Sequence, residues 1–405
     1  MNLVAMVELV FAVLFVILSG PVFLDLLLAL AGNLWVLVRP GTRVSATLFD
    51  PAAGQVAVFP LAVVIPAHNE EVLVAGAVAS LRRQSATTPI YVVAHNCTDA
   101  TAAIAIQAGA TVVLLNDPQS WGKAAALRHG FAAALANGAL ACLVLDADSV
   151  ASENLLTLTC QAFVQGAAAT QCRYEQQTPP GQPCSLVERL RLLAFRGMNV
   201  VRARGRAALG FSAGIFGNGF ALSSATLQQV PYNADGIAED VEYHVHLVAA
   251  GLRVTWLEAA RVFADLAPAG AVQTAQQARW EGGRLSIART SAPLLLAAFL
   301  RGNLRAGEAL LDVWSLPLSS GLVASVLCFF LRPWWTAFYA ESCAGILVAY
   351  LATALLLGDD PARDSLALLL APAFILRKLR RSRATLRHAR KGAEWVPTNR
   401  EQPQP

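Results

Sequence analysis

Charge is scarce in this chain. Only 14% of its 405 residues are Asp, Glu, Lys or Arg, and the formal net charge is +4, too small an excess to argue for a nucleic-acid partner. Cysteine pairing is missing as well. The seven cysteines are odd in number and no two form a Cys-x-x-Cys pair, which argues against a disulfide framework or a zinc site. They read as small apolar residues in a reducing compartment. The six histidines show no metal-ligand spacing. No Gly-x-Gly-x-x-Gly follows the first predicted strand and no Gly-x-x-x-x-Gly-Lys-Ser/Thr loop is present, so a dinucleotide fold and a phosphate-binding loop of that type have no support. No internal repeat is evident. No basic residue precedes the first apolar run, and that run is too long for a cleaved signal peptide.

What the chain has in excess is apolar sequence, 56% of residues against roughly 45–50% in an average soluble domain, concentrated near the two ends. Residues 4–38 are almost wholly apolar, interrupted by Glu8, Asp25 and Gly20-Pro21. They are long enough to cross a bilayer once, with a kink expected at Pro21. Residues 313–331 and 334–357, joined by Leu331-Arg332-Pro333, are expected to form a membrane hairpin. The run 365–376 is too short to span and reads as an interfacial helix. It leads into a basic cluster, Arg377 to Arg383 with Arg387, Arg390 and Lys391, suited to an anionic cytoplasmic leaflet; a solvated helix face is the alternative. Arg39, Arg43, Arg301 and Arg305 flank the spans on the same side as this cluster. That places the N-terminus outside and the central domain in the cytoplasm, as a multi-pass cell-membrane protein. Glu8 and Asp25 are intramembrane acids with no partner visible in sequence.

Between residues 58 and 290 the pattern changes to short apolar runs alternating with Ala-rich helical stretches. Strands are predicted at 61–65, 90–93, 111–115 and 140–145, and helices at 70–83, 98–108, 123–136 and 151–165. Such alternation implies an α/β, mostly parallel sheet with helices on both faces. Right-handed crossovers then gather the strand C-termini on one edge. Three polar clusters fall there: Pro66-Ala67-His68-Asn69-Glu70-Glu71, Ala94-His95-Asn96-Cys97-Thr98-Asp99, and Asp146-Ala147-Asp148.

Asp146 and Asp148, two apart at a strand end, point the same way. Two converging carboxylates suit Mg2+ or Mn2+, hard ions that take carboxylate and phosphate oxygens together. The competing reading is a helix cap at Asp148-Ser149. Glu239-Asp240 opens a helix over 241–250. There the acids either favour the helix dipole or supply a general base, and sequence alone does not choose between the neighbours. Gln276, Arg279 and Trp280 lie within about one helical turn. Arg offers a fork for phosphate oxygens and Trp a flat face for a sugar ring; an amphipathic surface helix is the alternative. Lys123, after Gly122, is placed to reach a phosphate from a helix N-terminus, or is an ordinary exposed lysine. Asn218 sits between Gly217 and Gly219, where a ligand can approach closely or a plain turn can form. His68 and His95 read as polar lining.

Together these motifs resemble the membrane-anchored branch of glycosyltransferase family 2, related to cellulose, hyaluronan and poly-N-acetylglucosamine synthases. The residues that carry the resemblance are Val64-Ile65-Pro66-Ala67-His68-Asn69-Glu70-Glu71, Asp146/Asp148, Glu239-Asp240 and Gln276/Arg279/Trp280. The resemblance runs from about residue 60 to 290, with a looser match through the C-terminal hairpin to Glu394-Trp395-Val396. It implies a GT-A fold and an inverting transfer from a nucleotide-diphospho-sugar, usually a uridine one, to a polysaccharide or lipid-linked acceptor. It further implies that Asp146 and Asp148 bind nucleotide and metal and that Asp240, rather than Glu239, is the base. Gln276 and Arg279 would hold the diphosphate, and Trp280 would lie near the acceptor. His95-Asn96 stands where family members often carry an acid that reads the nucleobase, so the choice of base is open.

The expected organisation is an N-terminal transmembrane helix over residues 1–40 and a cytoplasmic catalytic domain over 58–290. Interfacial helices and a membrane hairpin follow over 291–378, then a basic tail over 379–405. So few spans leave any polymer export to a partner or a homo-oligomer. A catalytically silent membrane protein that binds a nucleotide sugar or an assembly partner is the competing class.

Overall fold

The computed structural model describes residues 3–38, 59–119, 122–179, 181–234, 236, 238–266 and 271–380; at 271–281, 285 and 379 it describes the backbone alone. Arg39, Arg43 and the basic tail beyond Arg380 lie outside the described residues. The chain divides into two compact units. One is helical and comprises α1 (Leu3–Val38), α6 (Leu186–Arg196), α7 (Arg202–Ala208), most of α10 (Ala271–Leu300), α11 (Leu304–Trp314), α12 (Leu318–Phe329), α13 (Trp334–Leu356), α14 (Pro361–Ala367) and α15 (Ala371–Arg380). The other holds every described strand together with α2 (Val74–Arg82), α3 (Thr101–Gln107), α4 (Lys123–Ala136), α5 (Leu155–Val164), α8 (Ser224–Gln229) and α9 (Glu239–Ala249).

In the sheet unit, β1 (Leu61–Ala67), β2 (Ile90–His95), β3 (Thr111–Leu115) and β4 (Ala141–Val144) fall on the four predicted apolar runs. β1 and β2 are buried almost throughout, which is why they read as continuous apolar stretches rather than as alternation. Four further strands complete the sheet: β5 (Ser149–Ala151), β6 (Ala169–Gln177), β7 (Phe220–Ser223) and β8 (Val254–Asp265). The order is β3-β2-β1-β4-β7-β6-β8-β5. β1 runs parallel to β2 and β4, β2 to β3, and β6 to β8. β7 is antiparallel to both β4 and β6, and β5 to β8. The architecture is α/β, with a parallel half built as expected and a mixed half beside it.

Helices cover both faces of the parallel half. Val63 and Ile65 pack with Val74, Ala77, Val78 and Leu81 of α2 in one core. Val64, on the opposite face, meets α4 at Gly130, where an added Cβ would lie 2.3 Å from the Val64 Cγ1. Each such aliphatic side chain contributes about 1.5–3 kcal/mol on burial. Glycine at 130 lets α4 lie close to the sheet, and this sets the position of Lys123 at its first turn.

In the helical unit, α1 continues through Pro21. α1 and α13 are each long and apolar enough to cross a membrane. α1 meets α7 backbone to backbone: a Cβ on Gly32 would lie 2.0 Å from the Gly205 carbonyl oxygen, and one on Gly205 would lie 2.2 Å from that of Ala29. Small residues permit such approach between helices. Glu8 and Asp25 of α1 find partners far away in sequence. Glu8 pairs with Arg332 at 3.4 Å. Asp25 is held by Arg202 and, at 2.8 Å, by Arg206 of α7. Glu308 and Asp312 of α11 bind the same arginines, and Arg284 joins at Asp312. This gives three buried acids matched by three arginines.

The expected span 313–331 is interrupted by a bend. Ser315-Leu316-Pro317 separates α11 from α12 and the two axes differ by 81°. Proline has no N–H to continue the helix and excludes the helical conformation before it. The twelve residues of α12 are too few to cross alone; α11 and α12 together form either a broken span or a re-entrant pair. The expected interfacial helix 365–376 is likewise divided between α14, a short 3-10 turn and α15.

Candidate active site

The parallel strands β1, β2 and β4 end on one edge, and the loops that follow them are tied together. Pro66 lies inside β1, opposite Val93 of β2. Beyond it Asn69 adopts a positive φ of 57°, a conformation Asn tolerates better than most side chains. Its Oδ1 accepts from the Thr98 N–H at 2.8 Å. The Glu70 N–H donates to Thr101 Oγ1 at 2.8 Å, the Glu71 N–H to Asp99 Oδ2 at 3.1 Å, and Glu71 Oε2 accepts from the Ala100 N–H at 2.9 Å. His68 Nδ1 lies 2.7 Å from the His95 carbonyl oxygen.

Asn96, also at positive φ, closes both ends of its amide on Asp117. Its Nδ2 donates to the Asp117 carbonyl at 2.9 Å and its Oδ1 accepts from the Asp117 N–H at 2.8 Å. His95 is buried in β2. Asn69, Glu71 and Asn96 brace neighbouring loops, because a left-handed turn at a strand end leaves backbone N–H groups that need acceptors.

The charged centre lies where α4, the end of β4 and the first turn of α9 meet. Lys123 follows Gly122, whose φ of 98° turns the chain into α4. Its ammonium donates to the Asp146 carboxylate and, at 2.6 Å, to the Gly217 carbonyl. Gly217 has a φ of 76°, and a Cβ there would lie 3.3 Å from Asp240 Oδ2 and 3.8 Å from Lys123 Nζ. Asp146, Lys123, Gly217 and Asp240 are thus brought together from stretches spread over more than a hundred residues.

Asn218 is 1% exposed and braces the acids from behind. Its Oδ1 accepts from the Asp146 N–H at 3.1 Å and its Nδ2 donates to Ser149 Oγ at 2.8 Å. That hydroxyl donates to Asp148 Oδ1 at 3.0 Å. Gln171 fixes the same turn, donating to the Asn218 carbonyl at 2.8 Å and accepting from the Phe216 N–H at 3.1 Å. The helix-cap reading of Asp148-Ser149 falls, because Ser149 enters β5 and the next helix begins only at Leu155.

Electrostatics follow from the crowding of acids. Burial opposes the charge on Lys123, but Asp146, Glu239 and Asp240 outweigh it and lift its pKa above that of a free lysine. Burial, then the negative charge of Asp240, raises Glu239 to about 7, with Lys123 opposing. Tyr232 was not foreseen from sequence. It is 4% exposed and packs on Phe131 and Tyr243. Its hydroxyl has no hydrogen-bond partner among the described residues. Burial first, and then Glu239 and Asp240, push its pKa well up. No spacing signal marks it, since it follows Pro231 in an irregular loop.

Gln276, Arg279 and Trp280 fall in the unbroken helix α10, so their backbone spacing is helical; their side chains lie outside the described residues. No group of three or more His, Cys, Asp or Glu that could hold a metal occurs among the described residues. Asp146 and Asp148 offer two hard oxygen donors on one braced turn, a fit for Mg2+ or Mn2+ that takes its remaining ligands from phosphate and water.

Residues 59–283 match the model of the family described as "Glycosyltransferase like family 2". No curated protein matches the sequence. Among solved structures the chain is similar to a mannosyltransferase from Pyrobaculum calidifontis in complex with GDP-Man and Mn2+. The identity is 16%, 92% of this chain and 96% of that chain are covered, and the TM-score is 0.47. It is also similar to glucosyl-3-phosphoglycerate synthase from Mycobacterium tuberculosis in complex with Mn2+, UDP and phosphoglyceric acid, at 20% identity over 61% of this chain and 83% of that chain, with a TM-score of 0.39.

Proposed function

The chain belongs to the glycosyltransferase-like family 2 and is a glycosyltransferase; from that premise we propose that it is held in the cell membrane and transfers a sugar, with inversion, from a nucleotide-diphospho-sugar to a hydroxyl of a polysaccharide or lipid-linked acceptor. The observation that carries this reading is the convergence of Lys123, Asp146 and Asp240 around Gly217. In the reaction the acceptor oxygen attacks the anomeric carbon, the bond to the diphosphate breaks on the opposite face, and Asp240 takes the hydroxyl proton. A sugar hydroxyl is too weak an acid to attack without such a base. Burial and the neighbouring Asp240 raise Glu239 to about 7.

Asp146 and Asp148 would hold Mg2+ or Mn2+, which would offset the charge of the diphosphate leaving group. Gln276 and Arg279 are assigned to the diphosphate and Trp280 to the acceptor by the family resemblance alone. α1 and α13 anchor the protein with the site on the cytoplasmic side, and a uridine donor is the first to try. Any polymer export uses a partner or a homo-oligomer. The test is incubation of the purified protein with a panel of uridine and guanosine diphospho-sugars, followed by product mass analysis. A mass increment of one sugar residue on an added acceptor or co-purified lipid is expected. No turnover of any donor would favour a silent binding protein instead.

A further inference from the structure

Lys123 stands out because its ammonium occupies the middle of the acidic site and leaves no plain lysine-to-solvent role. It lies against Asp146 and the Gly217 carbonyl, and it shares the Gly217 surface with Asp240. The Asp146 and Lys123 side chains keep 29% and 22% of their surface exposed, so an incoming ion or ligand can reach the pair. A divalent cation held by Asp146 would face this ammonium at close range, and two cations so placed repel. A diphosphate changes that balance, because its oxygens accept both charges and the four-carbon lysine stem lets the ammonium follow them.

We propose that Lys123 is a resident counter-ion, which offsets the charge of Asp146 beside Asp240 in the donor-free protein and bars a divalent metal from binding until a diphosphate draws the ammonium away. Metal and donor then enter together, and the free enzyme does not hold the metal. This rests on the sugar-transfer reading only for the identity of the diphosphate; the metal exclusion is a property of the side chains themselves.

The experiment measures Mn2+ binding to the full-length protein in detergent by electron paramagnetic resonance. Mn2+ is added alone, with inorganic pyrophosphate, and with UDP or GDP. The native protein is expected to bind Mn2+ at least about tenfold more tightly with a diphosphate than without. Lys123→Met is expected to bind Mn2+ alone at least about tenfold more tightly than the native protein, and Lys123→Arg, which keeps the charge, to stay near it. Mn2+ should also raise the melting temperature of Lys123→Met more than that of the native protein. Adding Asp146→Asn to Lys123→Met should abolish the gain.

Lys123→Gln stands in if the Met variant does not fold. Unchanged Mn2+ affinity in a folded Lys123→Met or Lys123→Gln overturns the proposal. So does native protein that binds Mn2+ equally well with and without diphosphate. Absence of sugar transfer across the donor panel, with the Lys123→Met gain present, refutes the transfer reading and leaves the counter-ion intact.

Discussion

Replacing Asp25 by Ala removes one of the three acids that balance Arg202, Arg206 and Arg284 in the helical unit. The Asp25 side chain is 2% exposed and those of Arg202 and Arg206 are 7% and 4% exposed, so water does not take over the lost partner. Glu308 and Asp312 remain, but they already serve the same arginines. Removing one member of a buried ionic set costs about 3–5 kcal/mol, because it leaves an uncompensated charge rather than merely losing a contact. At about 2–4 °C per kcal/mol for a unit of this size, the expected fall in Tm is about 6–20 °C.

The assay is thermal unfolding in detergent followed by tryptophan fluorescence. A double variant, Asp25→Ala with Arg206→Met, separates the causes. It should recover part of the loss, since replacing a buried pair by apolar groups is often close to neutral. A Tm for Asp25→Ala within about 2 °C of the native value would refute the reasoning. A double variant that loses as much as the sum of its singles would do the same.

Gly205→Ala should lower Tm by an amount corresponding to about 1–3 kcal/mol or more, since its Cβ would meet the Ala29 backbone at 2.2 Å; an unchanged Tm would mean that α1 and α7 do not touch as described. Gly217→Ala should cost about 1 kcal/mol from its φ of 76°, and it should reduce sugar transfer by more than its stability loss accounts for, because the new methyl group crowds Asp240. Glu239 is an acid whose folded pKa, about 7, lies above its ordinary 4.5. The unfolded chain releases that proton first, so the stability this group contributes is present at low pH and lost as pH rises from 4.5 to about 7; in a Tm-versus-pH series on donor-free protein, Glu239→Gln should flatten that segment.

Much of the parallel half of the sheet was legible because its strands are buried on both sides. Runs such as Ala62-Val63-Val64-Ile65 have no other comfortable place, and α4 begins at Lys123 and ends at Ala136 as the Ala-rich stretch suggested. The mixed half was not legible. β6 carries Arg173, Glu175, Gln176 and Gln177, and β8 carries Glu258, Arg261 and Asp265, so neither forms an apolar run. β5 is three residues long and exists through its pairing with β8, and the predicted helix 151–165 overran it.

The acids of the site announced themselves by spacing, but what holds them did not. Lys123 meets Gly217 94 positions away and Asn218 meets Asp146 72 positions away, and no local pattern encodes such contacts. The same holds for Asp25, whose arginine partner Arg206 is 181 positions distant. Pro317 was visible, yet its effect was hidden by the hydropathy of the residues around it.

The most direct test of the account is single-turnover sugar transfer by Asp240→Asn, with donor binding measured on the same preparation. The account predicts transfer lowered by about 10²–10⁴-fold, the span typical of a lost general base, with donor affinity largely kept. Transfer at the native rate, with the donor bound equally well, would contradict it.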